Sequence, residues 1–110
     1  MSSDTFIAYF GLRFEIDAEE AEGVEERSDA RIVAARKVGL KYYWGNFGGL
    51  QERYLLFVGE QIGIMGAENS NEVSLPLNDA RLSFDAIKEK LEKAGLSGNP
   101  ELHLSWQPDI

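Results

Sequence analysis

Two β-rich runs separated by a Gly-Glu pair, 54–58 and 61–65, constrain this chain more than any other stretch. Glycine at the first of two loop positions suits a type II′ turn. The pair therefore predicts a hairpin in which Val58 faces Gln61, Phe57 faces Ile62 and Leu55 faces Ile64. Side chains alternate along a strand, which places Leu55, Phe57, Ile62 and Ile64 on one face and Tyr54, Leu56, Val58 and Met65 on the other. Both faces are then apolar. A hairpin of that kind belongs in the middle of a sheet, with cover on each side. Upstream, Lys41 to Trp44 opens the sheet region, and Gly45-Asn46-Phe47-Gly48-Gly49 connects it to the hairpin.

The other elements follow from periodicity. From Thr5 to Ile16, Phe6, Ala8, Phe10, Leu12, Phe14 and Ile16 share one face, which predicts a long strand with a bulge or bend at Gly11. Asp17 followed by Glu20 is a capping-box pattern, and the short helix it starts offers only Ala18, Ala21 and Val24 to a core. Ser28 or Asp29 restarts a helix through Ile32, Val33, Ala35 and Val38, which Gly39 stops. Gly66 and Asn69-Ser70-Asn71 read as a turn, and Val73 and Leu75 as a short strand that Pro76 places at an edge. Ser83 is expected to cap a last helix with the stripe Phe84, Ile87, Leu91 and Ala94, ended by a left-handed Gly95. Leu102, Leu104 and Trp106 alternate with Glu101, His103 and Ser105 in a final strand. The order predicts an α+β fold: a mostly antiparallel sheet of five or six strands with two or three helices packed on one face.

At 110 residues, without repeat or linker, the chain is expected to form one domain, 1–110. It has no cysteine, which removes disulfides and thiolate metal sites and fits a reducing compartment. No signal-peptide pattern opens it, and apolar runs of about five residues fall far short of a membrane span, so a soluble, cytoplasmic protein is expected. The net charge of −8 argues against direct nucleic-acid binding, which needs clustered cations.

That charge is concentrated. Between Glu15 and Asp29 stand eight acids against Arg27 alone. Glu19, Glu22 and Glu26 are candidate docking residues for a basic partner, as on an inhibitor or immunity protein laid over a basic active site. A solvated helix face is the plainer account of the same run. The acids lack the spacing and central glycine of a calcium loop. Tyr42, Tyr43, Trp44 and Phe47, set among glycines, are candidates for a recognition loop, although aromatic residues also suit a sheet. His103, the only histidine, shares its strand face with Glu101 and Ser105, but no nucleophile-elbow sequence accompanies them.

The function expected from these features is a non-enzymatic protein-binding or regulatory module with no cofactor or metal. Its partner would be another protein, or a second copy meeting it through an exposed strand edge or aromatic face. The rival is a small-molecule-binding domain or minor enzyme. Its pocket would lie between sheet and helices and draw polar groups from Tyr42, Tyr54, Arg53, Arg13 or His103. No motif in the chain is specific to one reaction or ligand.

Overall fold

In the computed structural model, which describes residues 4–66 and 72–108, the chain runs β1 (Thr5–Ile16), α1 (Ala18–Glu25), α2 (Ala30–Lys37), β2 (Lys41–Asn46), β3 (Tyr54–Gly66), α3 (Leu77–Lys93) and β4 (Glu101–Gln107). The strands form one antiparallel sheet in the order β2-β3-β1-β4. The fold is α+β as expected, but the sheet has four strands among the described residues rather than five or six.

The predicted hairpin accounts for much of that difference. Gly59 and Glu60 do not turn, and β3 runs straight through them. β1 supplies a partner along the whole of it, from Thr5 opposite Gly66 to Ile16 opposite Tyr54. A two-residue turn preference is local and weak, and a ladder of that length overrides it. Val73 and Leu75 form no strand either, and the expected turn at 69–71 lies outside the described residues.

Gly59 still uses its conformational freedom, in a different way. It pairs with Gly11, and the two have φ of +153° and +150°, values that L-residues hardly adopt. A Cβ on Gly11 would strike the Val58 carbonyl oxygen, and one on Gly59 the Phe10 carbonyl oxygen. The pair also marks a boundary. β2 pairs with β3 only as far as Lys41 opposite Gly59, and β4 pairs with β1 only as far as Glu101 opposite Gly11. The sheet is therefore two three-stranded halves that share the β1–β3 ribbon and meet at the glycines.

The halves fold toward each other. The Tyr43 hydroxyl on β2 donates to Gln107 Oε1 on β4, linking the two outer strands. Between the halves lies a core of Ile7, Tyr9, Leu55, Phe57 and Phe47. Phe57 stands with its ring centroid 5.7 Å from Tyr9, 5.6 Å from Phe47 and 5.7 Å from His103. The opposite face carries the larger core, where Phe10, Leu12, Ile16, Leu56 and Val58 meet Ala21 and Val24 of α1, Ile32 and Ala35 of α2, and Ile87 and Leu91 of α3. The expected face assignments hold for Tyr54, Leu56 and Val58 and for Leu55, Phe57 and Ile64. Ile62 lies on the helix side instead. A bulge there leaves one extra β3 residue against Ala8 and Tyr9 of β1, so of the bulge or bend expected at Gly11 the bulge falls elsewhere, while the unusual φ of Gly11 marks where the sheet halves meet.

The helices begin and end largely as their sequences imply. Asp17 accepts from the Glu20 amide at 2.7 Å while Glu20 accepts from the Asp17 amide at 3.2 Å, a complete capping box. Asp29 caps α2. α3 differs: it starts at Leu77 behind Pro76, a full turn and more before Ser83, with Asp79 favourably placed in its first turn. All three helices close with paired backbone bonds of Schellman type, at Arg27–Ser28, Gly39–Leu40 and Gly95–Leu96. The left-handed position is glycine in two of them but Arg27, with φ 63°, in the first. Arg27 is exposed, so its side chain offers little to offset that strain. Arg27→Gly is expected to raise stability by about 0.5–1 kcal/mol in urea melts, and a loss there would show that the arginine stabilises through contacts of its own. No helix among the described residues is long and apolar enough to cross a membrane.

Candidate functional site

The acidic segment divides into carboxylates engaged by the fold and carboxylates left to solvent. Arg31 engages two of them: its Nη2 lies 2.8 Å from Glu20 Oε2 and 2.9 Å from Asp29 Oδ2, tying α1 to α2. Its guanidinium also sits 5.0 Å from the Phe14 ring centroid. The Arg31 hydrogen bonds hold the Asp29 carboxyl below its usual range, and Asp29 in turn raises Arg31. Glu15 is engaged from the other side by Arg53 at 2.6 Å, which lowers its pKa through that hydrogen bond. Glu19, Glu22, Glu25 and Glu26 remain exposed on α1.

The aromatic segment is mostly strand, not loop. Tyr42 and Trp44 point to the helix side of β2, where they pack half-buried against the larger core. Trp44 meets Tyr54 at 6.3 Å. Tyr43 faces the smaller core, and burial pushes its phenol up despite the Gln107 hydrogen bond. Phe47 is buried there as well. Asn46 explains why: its side chain accepts from the Gly48 and Arg53 amides and donates to the Gly49 carbonyl, which folds the loop inward over Phe47. Docking residues from the two segments are not brought together: the free carboxylates sit on α1, the aromatic rings in and against the sheet.

Of the polar groups proposed for a pocket, only Arg13 and His103 share a cleft. Arg53 is engaged by Glu15, and Tyr42 lines a cleft with Tyr9, Leu40, Lys41 and Gln61. Arg13 and His103 line a separate, polar cleft with Ser97, Asn99 and Glu101. His103 Nε2 lies 3.2 Å from the Gly11 carbonyl, so the imidazole fastens β4 beside the glycine pair. Tyr9 is the one buried hydroxyl without a hydrogen-bond partner among the described residues. Burial, helped by the Glu60 carboxylate, pushes its phenol above the usual range.

The feature that sequence reasoning missed is the helix side of β4. Alternation put Leu102, Leu104 and Trp106 on one face of a final strand, and that face is open: they are 52%, 67% and 55% exposed. Phe6, 48% exposed on the neighbouring strand, stacks on Trp106 at 6.4 Å. The cover stops short of them because the stripe of α3 packs over β1 and β3: Phe84 stacks on Phe10 at 3.9 Å, and Ile87 and Leu91 join the larger core. Beside the strip runs an apolar groove of about 410 Å³, walled by Ile62, Val73, Leu75, Phe84, Leu102 and Leu104. β4 is also an outer strand, with backbone groups along one side unpaired in the sheet among the described residues. The available signal was the scarcity of cover: three helices with narrow stripes face a sheet that is apolar on both sides.

No protein-family model, curated protein or solved structure matches this chain.

Proposed function

We propose that this chain is a non-enzymatic protein-binding module whose contact surface is the apolar strip of β4 with the groove beside it. The observation that carries the reading is the gathering of Phe6, Leu102, Leu104 and Trp106, each about half exposed or more, along one edge of the sheet. Apolar surface left in water forgoes about 25 cal/mol per Å² of burial, and a contiguous patch marks a surface that a partner covers. The same reasoning ranks the acidic face of α1 second. Its carboxylates are already solvated, so covering them gains little beyond faster association.

Capture with the tagged chain and with a Leu102→Gln/Leu104→Gln variant tests this. Both positions are exposed, so the variant should keep its fold by circular dichroism. It is expected to lose proteins that the unmodified chain recovers, the chain itself included. A Glu19→Gln/Glu22→Gln/Glu26→Gln variant is expected to retain them. Identical recovery by the leucine variant and the unmodified chain removes β4 as the contact surface.

A further inference from the structure

The strip on β4 is its own complement. Pro100-Glu101-Leu102-His103-Leu104-Ser105-Trp106-Gln107-Pro108, sorted into proline, polar and apolar, reads the same in both directions, with Leu104 at the centre. We propose that β4 pairs antiparallel with β4 of a second copy across a two-fold axis at Leu104, joining two four-stranded sheets into one. The inference rests on β4 being the contact surface, and it names the occupant.

In that register Leu102 faces Trp106 of the second copy and Leu104 faces itself, so three apolar cross-strand pairs close over the seam on the helix side. Such pairs are the units that stabilise a sheet. On the other side His103 faces Ser105, and Glu101 faces Gln107. No like charges are opposed, although the chain carries a net charge of −8. The two copies of Glu101 end up about 20 Å apart along the strands, twice a Debye length or more at physiological ionic strength. Proline lacks the amide hydrogen that a ladder needs, so Pro100 and Pro108 delimit the pairing segment at both ends and disfavour slipped registers. One residue of slip would also set each leucine opposite a polar residue of the second copy.

The other outer strand shows what a guarded edge looks like here. β2 opens with Lys41 and contains Gly45. β4 has no lysine, glycine or proline between Glu101 and Gln107. Edges left that way pair. An isologous seam needs only one such edge per copy, which is the geometry of a closed dimer rather than a fibre.

Cysteine cross-linking reads the register directly, since the chain has no cysteine of its own. Leu104→Cys, treated with diamide, is expected to form a disulfide-linked dimer. Leu102→Cys is expected to stay monomeric under the same treatment, because its two copies would lie about 14 Å apart, beyond the roughly 7 Å between Cα atoms that a disulfide spans. Sedimentation of the unmodified chain should show a reversible monomer–dimer equilibrium, and Leu104→Arg, which opposes two cations at the axis, should weaken it at least tenfold. Equal cross-linking at both cysteine positions overturns the register. A chain monomeric up to several hundred micromolar, on the order of the weakest specific contacts, overturns the pairing itself. In that second case the leucine variant of the capture experiment separates the two ideas: lost partners keep β4 as a contact surface for a different protein, and unchanged recovery rejects both.

Discussion

Gly11→Ala and Gly59→Ala are each expected to destabilise the chain by roughly 3 kcal/mol or more in urea melts, the largest effect of any single methyl group in this fold. Two costs combine at each position. The backbone holds φ near +150°, which an L-residue adopts only under strain, and the added Cβ would meet a backbone carbonyl of the neighbouring strand. Neither cost relaxes easily, because the atom in the way belongs to a paired strand and not to the end of a flexible side chain. Gly23→Ala is the control. That glycine lies inside α1, where a Cβ would find no neighbour closer than 3.8 Å, so alanine should stabilise by about 0.5–1 kcal/mol. Total stability for a domain of this size is of the order of 5–15 kcal/mol, so combining Gly11→Ala with Gly59→Ala should remove a large part of it. Losses under about 1 kcal/mol at both glycines would mean that the two halves of the sheet do not depend on the pair for their meeting.

What could be read in the sequence was local, and what could not was set by distant partners. The capping box at Asp17 and Glu20 and the helix stops at Gly39 and Gly95 involve residues a few positions apart, and they form as their chemistry implies. β1 was legible from its alternation over the very residues it occupies. Gly59 was ambiguous in a way no local pattern resolves, since unusual φ serves a tight turn and a crease in a ladder equally well. The start of α3 was missed because Ser83 is a good cap, but Leu77 to Leu82 is also competent helix, and Pro76 disfavours helix in the residue before it and so marks the start. The candidate aromatic residues were identified as a group and then divided by the fold. Phe47 is drawn into a core by Asn46, while Tyr43 serves as a tie between outer strands. The strand at Leu102 to Trp106 was evident from alternation, but its exposure was not. Alternation records which residues share a face; whether that face is covered depends on where α3 lands.

Phe57→Ala is expected to cost about 3–5 kcal/mol, and the comparison with Leu56→Ala at about 2–5 kcal/mol shows why two adjacent residues report on different parts of the molecule. Both are fully buried, and they point to opposite faces of β3. Leu56 belongs to the core beneath the helices, so its loss leaves the fold of the two sheet halves against each other intact. Phe57 lies where the halves meet, in contact distance of Tyr9 and His103 from one half and Phe47 from the connection after β2. Its removal opens a cavity between them and loosens the support of the Tyr43 to Gln107 tie. Residues sharing a cluster couple, and residues of separate clusters add. Phe57→Ala combined with Phe47→Ala should therefore depart from additivity by 0.5 kcal/mol or more, of the order seen for contacting pairs, while Phe57→Ala with Leu91→Ala should not. The near-ultraviolet circular dichroism of the tyrosines should change in Phe57→Ala and be largely preserved in Leu56→Ala. A cost below about 1 kcal/mol for Phe57→Ala would mean that this face of the sheet is open to water and that its halves do not close on each other.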